Sequence, residues 1–157
     1  YTTVALSRYV TAVASGKKYN YQLMNKIVDA DGKTVKKYKA DYEDISDTLT
    51  SSQWDALHSG MRQVVSTMDR FDIPVAGKTG TAQQTGHANH GLFIGYAPYD
   101  DPEITIAVRI ANGYSSHNAA TAARNVISYY YKETSMKDIK EMKAAGVNGN
   151  TRNSVAD

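Results

Sequence analysis

The residues in this sequence best suited to chemistry lie together in Gly77-Lys78-Thr79-Gly80-Thr81-Ala82-Gln83. Two threonine hydroxyls, a flexible cation and two glycines suit an extended ligand that ends in a carboxylate. Read as a strand, a period of two puts Thr79, Thr81 and Gln83 on one face and Lys78 and Gly80 on the other. The hydroxyls can donate hydrogen bonds to the carboxylate, Lys78 supplies positive potential, and the strand's backbone can pair with the ligand as an added strand. A glycine inside a strand often marks a place where another backbone comes close. An edge strand with a surface lysine fits the same residues, and a lone K-T-G triplet does not decide between the two. His87 and His90, three apart, form a second candidate. Two histidines can bind zinc, but a site needs a third protein ligand, and the nearest acids, Asp100 and Asp101, fall in a different turn. The expectation is therefore loop histidines, with His90 packed where the next strand starts, and no cofactor; zinc at His87 and His90 is the alternative. His58 and His117 read as surface or capping residues.

The elements that must hold these residues are legible from periodicity. Val4, Leu6, Tyr9, Val10, Val13 and Ala14 keep helical spacing from Thr3 to Ala14, and Ser15-Gly16 stops the helix. Residues 19–28 and 34–39 flank Asp29-Ala30-Asp31-Gly32, a hairpin signal, and carry a run of lysines before Asp41, Glu43, Asp44 and Asp47 reverse the sign. That ribbon reads as a solvated surface, or else as a contact patch for an anionic wall or lipid. Thr50-Ser51-Ser52-Gln53 forms a capping box ahead of an apolar stripe of Trp54, Leu57, Met61, Val64, Val65 and Met68, the kind of face that helices bury. Three strands follow, Val75 to Gln83, Gly91 to Ala97 and Glu103 to Ala111, with Pro98-Tyr99-Asp100-Asp101-Pro102 between the last two. Short connections make them an antiparallel meander, closed by a helix from about Asn118 to Lys132. An amphipathic piece and the polar tail VNGNTRNSVAD end the chain, which reads as 1–133 of one domain followed by a segment, 134–157. The fold class is α+β, an antiparallel sheet covered by helices.

Composition narrows the partners. The chain has 157 residues with 18 Lys and Arg against 16 Asp and Glu, a net charge of +2 that argues against nucleic acid. With 41% hydrophobic and 22% charged residues the chain is globular rather than disordered as a whole. No stretch approaches the roughly 18 consecutive apolar residues of a membrane span, and the start lacks the pattern of a signal peptide. The absence of cysteine excludes disulfides, thiolate zinc sites and a cysteine nucleophile while leaving the compartment open. A start at Tyr1-Thr2-Thr3, running at once into a helical pattern, reads as part of something longer.

The string KTGTAQ, followed by HGLFIGYAPYDDPEITIAVRIANG and an alanine-rich helix ending in YYYK, closely resembles the C-terminal end of class B penicillin-binding protein transpeptidase domains. Upstream, TTVALSRYVTAVASGKKYNYQLMNKI and SSQWDALHSGMRQVV resemble the same family's helix, small hairpin and later helix, so the likeness runs over about residues 1–132. The resemblance implies the C-terminal portion of the serine β-lactamase and penicillin-binding fold. It implies a bacterial cell-wall enzyme, held in the membrane by an N-terminal segment, with its catalytic domain outside the cytoplasm. A serine that opens a helix would attack the D-Ala-D-Ala end of a peptidoglycan stem peptide and pass the acyl group to an amine, and β-lactams would acylate the same serine. Lys78 would help to move protons, Thr79 and Thr81 would bind the substrate carboxylate, Gly80 would keep the floor clear, and Gln83 would line the substrate strand. The Thr81 N–H would supply half of the oxyanion hole.

The family order is S-x-x-K, S-x-N, K-T-G. Ser15-Gly16-Lys17-Lys18 fits the first motif but lies in a glycine turn after a helix, where lysine cannot fall one turn along the same face. Ser116-His117-Asn118 fits the second but follows K-T-G instead of preceding it. The nucleophilic serine is thus expected outside this chain, with the rest of the domain as a partner, in the same polypeptide or a separate one, and the chain alone inactive. The alternatives are a class D β-lactamase or β-lactam sensor domain, and a non-catalytic peptide-binding module.

Overall fold

A computed structural model describes residues 1–66 and 73–141. Helix α1 (Thr3–Ser15) begins where the Thr2 hydroxyl accepts the Ala5 N–H, and it ends at Gly16, which takes the left-handed φ of 67° that a side chain disfavours. The next segment departs from a single hairpin. Strands β2 (Lys26–Val28) and β3 (Thr34–Lys37) pair around the Asp-Gly turn, but β1 (Lys17–Tyr19) pairs instead with β4 (Tyr42–Asp44). Opposite charges explain the second pairing: Lys17 lies across from Asp44 and Lys18 from Glu43, with the Tyr19 and Tyr42 rings 5.2 Å apart. The Lys18 ammonium, 2.6 Å from Glu43, holds that carboxyl below its usual range, and the Ser46 backbone N–H and hydroxyl do the same for Asp44. Every residue from 20 to 37 is exposed, so β2 and β3 form a solvated ribbon.

Helix α2 (Ser51–Ser66) opens on the expected capping box, with the Thr50 N–H donating to Gln53 Oε1 at 2.9 Å. Met61 and Val65 of its stripe are buried; Met68 lies outside the described residues. His58 is no surface residue: its Nε2 lies 2.9 Å from the Val13 carbonyl oxygen, and its ring meets Tyr96 edge-on.

Strands β5 (Ala76–Ala82), β6 (His90–Ala97) and β7 (Ile104–Ile110) form the expected antiparallel meander in the order β5-β6-β7. Alternation divides its side chains between two helical layers. Val75, Phe93 and Ala97 join Ala119, Ala123 and Ile127 of α3 (Ser116–Tyr130) on one face. Ala76 and Tyr96 join Val10 and Val13 of α1 and Met61 of α2 on the other. Helix α3 starts two residues earlier than its apolar pattern indicates, because Ser115 is the cap and accepts the His117 N–H at 3.1 Å. A short α4 (Met136–Glu141) follows, its first turn closed by reciprocal bonds between Ser135 and Asp138; the polar tail lies outside the described residues.

Candidate active site on the K-T-G strand

Strand β5 is built to be half anchored. At its start the Arg62 guanidinium donates to the Val75 carbonyl at 3.1 Å, the Tyr99 N–H donates to the Pro74 carbonyl at 2.7 Å, and Ala76 and Gly77 are buried. From Lys78 onward the strand is partly or fully open to solvent, and among the described residues only β6 pairs with it. On the other edge alternate residues turn N–H and C=O groups outward, the template that an extended ligand needs.

The register fixes which side chains share a face. Thr79 lies opposite Phe93 and Thr81 opposite Gly91, toward α3, whereas Lys78 lies opposite Ile94 and Gly80 opposite Leu92, toward α1 and α2. The two threonines and the lysine therefore flank the open edge from opposite faces, as alternation requires. Lys78 is exposed and its ammonium donates to the Thr79 carbonyl at 2.9 Å. A cation that caps an outlying carbonyl can exchange that bond for an incoming anion.

The two glycines differ in purpose. A Cβ at Gly80 would meet nothing nearer than Leu92 Cβ at 3.6 Å, so the strand there presents clear space. A Cβ at Gly77 would strike the Phe93 ring at 2.5 Å and the Ile94 carbonyl at 2.7 Å. The close approach that glycine marks in the sequence is internal packing at Gly77 and open space at Gly80. Gln83 also departs from expectation, since β5 ends at Ala82 and Gln83 stands exposed in the coil beyond, outside the alternation that aligns Thr79 with Thr81.

His87 and His90 are not brought together as a ligand pair by any third donor: among the described residues no group of three His, Cys, Asp or Glu could hold a metal. His90 is committed elsewhere. The Asn112 N–H donates to its Nδ1 at 3.0 Å, an Arg109 guanidinium nitrogen lies 3.0 Å from its Nε2, and the Gln84 amide rests against the ring. His87 is exposed in the turn.

The two motif look-alikes lie at helix ends. Ser15 closes α1 and donates to the Thr11 carbonyl at 2.7 Å, while Lys18 sits on a strand with Glu43. Ser116 is buried in the first turn of α3, and the Asn118 amide donates to the Gly113 carbonyl at 2.9 Å, closing the turn after β7. One feature escaped sequence reading: an apolar groove of about 680 Å³ between α1, α2 and the β1–β4 pair, lined by Leu6, Tyr9, Val13, Tyr21, Trp54 and Leu57 among others.

Comparison with known proteins converges on one family. The family model described as penicillin binding protein transpeptidase domain matches residues 1–128. The peptidoglycan D,D-transpeptidase MrdA of Haemophilus influenzae is 28% identical over 84% of this chain and 24% of its own length. The protein of the same name from Acinetobacter baumannii is 35% identical over 52% of this chain and 15% of its own. The crystal structure of PBPA from Mycobacterium tuberculosis superposes with a TM-score of 0.71 at 20% identity, over 83% of this chain and 32% of that one, a likeness of fold. The chain thus spans a quarter or less of the length of the curated relatives it matches.

Proposed function

The chain belongs to the class B penicillin-binding proteins, of whose transpeptidase domain it forms a part, and on that premise we propose that the complete protein is a peptidoglycan D,D-transpeptidase acting by serine acyl transfer. Its substrate is a stem peptide ending in D-Ala-D-Ala, and β-lactams acylate the same serine. In the first half-reaction that serine, outside this chain, attacks the carbonyl carbon of the penultimate D-Ala; the terminal D-Ala leaves and takes up a proton. In the second, an amine of a neighbouring peptide attacks the ester and the serine recovers its proton. The reaction so drawn needs no cofactor.

We assign Lys78 to the positive potential and proton movement beside the serine of the S-x-N motif, and Thr79 and Thr81 to the carboxylate. The backbone N–H of Thr81 is one oxyanion donor, acting where charge develops in the transition state. Gly80 keeps the floor clear, and Gln83 contacts the substrate from the coil beyond the strand. The observation that carries this reading is that, among the described residues, β6 is the one strand paired with β5, with Lys78 exposed and open space at Gly80.

The remainder of the domain, from the same polypeptide or a separate one, seats in this reading on the apolar groove beside α1, where the lining residues Tyr9 and Tyr21 are 55% and 60% exposed. A contiguous apolar groove of this kind marks an interaction surface. The domain then runs to about residue 133, with 134–157 as an appended segment. Among the described residues no helix is long and apolar enough to cross a membrane, so the proposed membrane anchor, with the catalytic domain outside the cytoplasm, falls to an N-terminal segment beyond these residues. Holding only the lysine, the threonines and one oxyanion donor, the chain alone is inactive.

The test is Lys78→Ala in the complete protein, followed by the rate of acylation by a penicillin. It should fall at least about tenfold, the effect of losing about 1.4 kcal/mol of transition-state stabilisation, with thermal unfolding unchanged. An unaltered rate would take Lys78 out of the site.

A further inference from the structure

Strand β5 carries its reactive end farthest from its anchors. Arg62 and Tyr99 hold the strand's start, whereas Thr81 and Ala82, its last residues, pair with Gly91 and His90 at the very beginning of β6. A strand paired along one edge opens most easily at its end. Something must fix that end if the Thr81 N–H is to sit where an oxyanion forms.

The His90 ring stands at this point. It joins three segments: Gln84, two residues beyond β5, whose amide rests against the ring; Arg109 near the end of β7, 3.0 Å from Nε2; and Asn112 in the turn to α3, whose N–H donates to Nδ1 at 3.0 Å. The backbone beneath the ring is itself fixed. A Cβ at Gly91 would strike the Ser115 carbonyl oxygen, and the Tyr114 N–H donates to the Asn89 carbonyl at 3.0 Å, so the start of β6 is pressed against the cap of α3. His90 thus links a rigid corner, β6 with the α3 cap, to the end of the strand that carries Thr81.

We propose that His90 is a positioning residue of the acyl-transfer site, holding the Thr81 end of β5 in register through Gln84. This rests on the transpeptidase reading above, because the inference concerns where the Thr81 N–H lies during acylation. Misplacing a catalytic donor by about 1 Å costs on the order of a hundredfold in rate, so a partial release of the strand end should slow acylation without removing a reacting group.

Three variants of the complete protein test it, with Lys78→Ala beside them: His90→Ala, His90→Asn, which keeps an acceptor near the place of Nδ1, and Gln84→Ala, which cuts the strand-side contact at an exposed loop and leaves the core alone. Two quantities are read, the acylation rate at saturating penicillin and hydrogen exchange across residues 79–84. His90→Ala should slow acylation about tenfold or more and speed exchange in that segment. Gln84→Ala should do the same to a lesser degree, and His90→Asn should recover part of both. Should His90→Ala fail to fold, Gln84→Ala decides. Unchanged acylation and unchanged exchange in Gln84→Ala, with Lys78→Ala still defective, would overturn the positioning role. If Lys78→Ala is also unaffected, the transpeptidase reading itself fails.

Discussion

A methyl group added at Gly77 would collide with the Phe93 ring and the Ile94 carbonyl, whereas three residues along the same strand, at Gly80, it would find only Leu92 Cβ in ordinary contact at 3.6 Å. The first half of β5 is core, sealed by α2 and by the rings of β6; the second half is partly or fully exposed, and among the described residues β6 is the one strand paired with it. One short strand therefore runs from the hydrophobic interior to the exposed stretch where, in the proposed reading, a ligand adds as a further strand. The rigid half positions the open half, and the glycines mark the two regimes for opposite reasons.

The contrast predicts its own largest effect. Gly77→Ala should destabilise the complete protein by ~3 kcal/mol, at the upper end of what overpacking costs, because the atoms it strikes are a buried ring and a backbone oxygen that cannot swing aside. Thermal unfolding measures this, and a loss under about 1 kcal/mol would mean that the two halves of β5 are not distinct. Gly80→Ala should leave thermal unfolding within about 0.5 kcal/mol of the parent, since its new Cβ meets only van der Waals contact. Its effect belongs to chemistry: the methyl projects from the face that carries Lys78, beside the edge where the proposed substrate lies, and acylation by a penicillin should slow about tenfold. A variant that is both stable and fully active would show that the ligand does not pass over Gly80.

The meander, its antiparallel order, the capping box at Thr50 and the K-T-G strand were all legible in the sequence, because each rests on local periodicity or on a short signal. What was not legible depended on distant partners. The pairing of Lys17-Lys18-Tyr19 with Tyr42-Glu43-Asp44 joins segments either side of the ribbon; the inverted charge order was visible, but the Asp-Gly turn between them gave the stronger local cue. The role of Gly77 needed Phe93, sixteen positions away in sequence but on the neighbouring strand. His90 could be placed at the start of β6 from pattern alone, yet its ties to Gln84, Arg109 and Asn112 appear only once three strands are laid side by side. The strand that carries Lys78, Thr79, Gly80 and Thr81 and its alternation were legible from residue type, whereas its end was read at Gln83 because nothing in the sequence signals that pairing stops at Ala82.

The smallest effect tests the core half from its polar side. Tyr96 lies opposite Ala76 in the register, is 1% exposed, and its hydroxyl is the one buried side-chain polar atom without a hydrogen-bond partner among the described residues. Burial, helped by the neighbouring Tyr99, pushes its phenol up to about 12. A buried hydroxyl that makes no bond carries a desolvation cost with nothing to offset it, so Tyr96→Phe, which keeps the ring against His58 and removes only the oxygen, should be neutral or stabilise the complete protein by up to about 1 kcal/mol at pH 7. The pH dependence has a definite sign. A phenol whose folded pKa lies above its unfolded value of about 10 contributes stability that is fully present below pH 10 and is lost as the pH rises toward 12. Tyr131, also raised to about 12, loses its share in the same window and is retained in the variant. Unfolding midpoints measured from pH 7 to pH 11 should therefore fall less steeply for Tyr96→Phe than for the parent, but should still fall. If the variant is instead less stable by more than about 1 kcal/mol at pH 7, the hydroxyl has a partner, and the half of β5 described as a closed apolar core contains a polar contact.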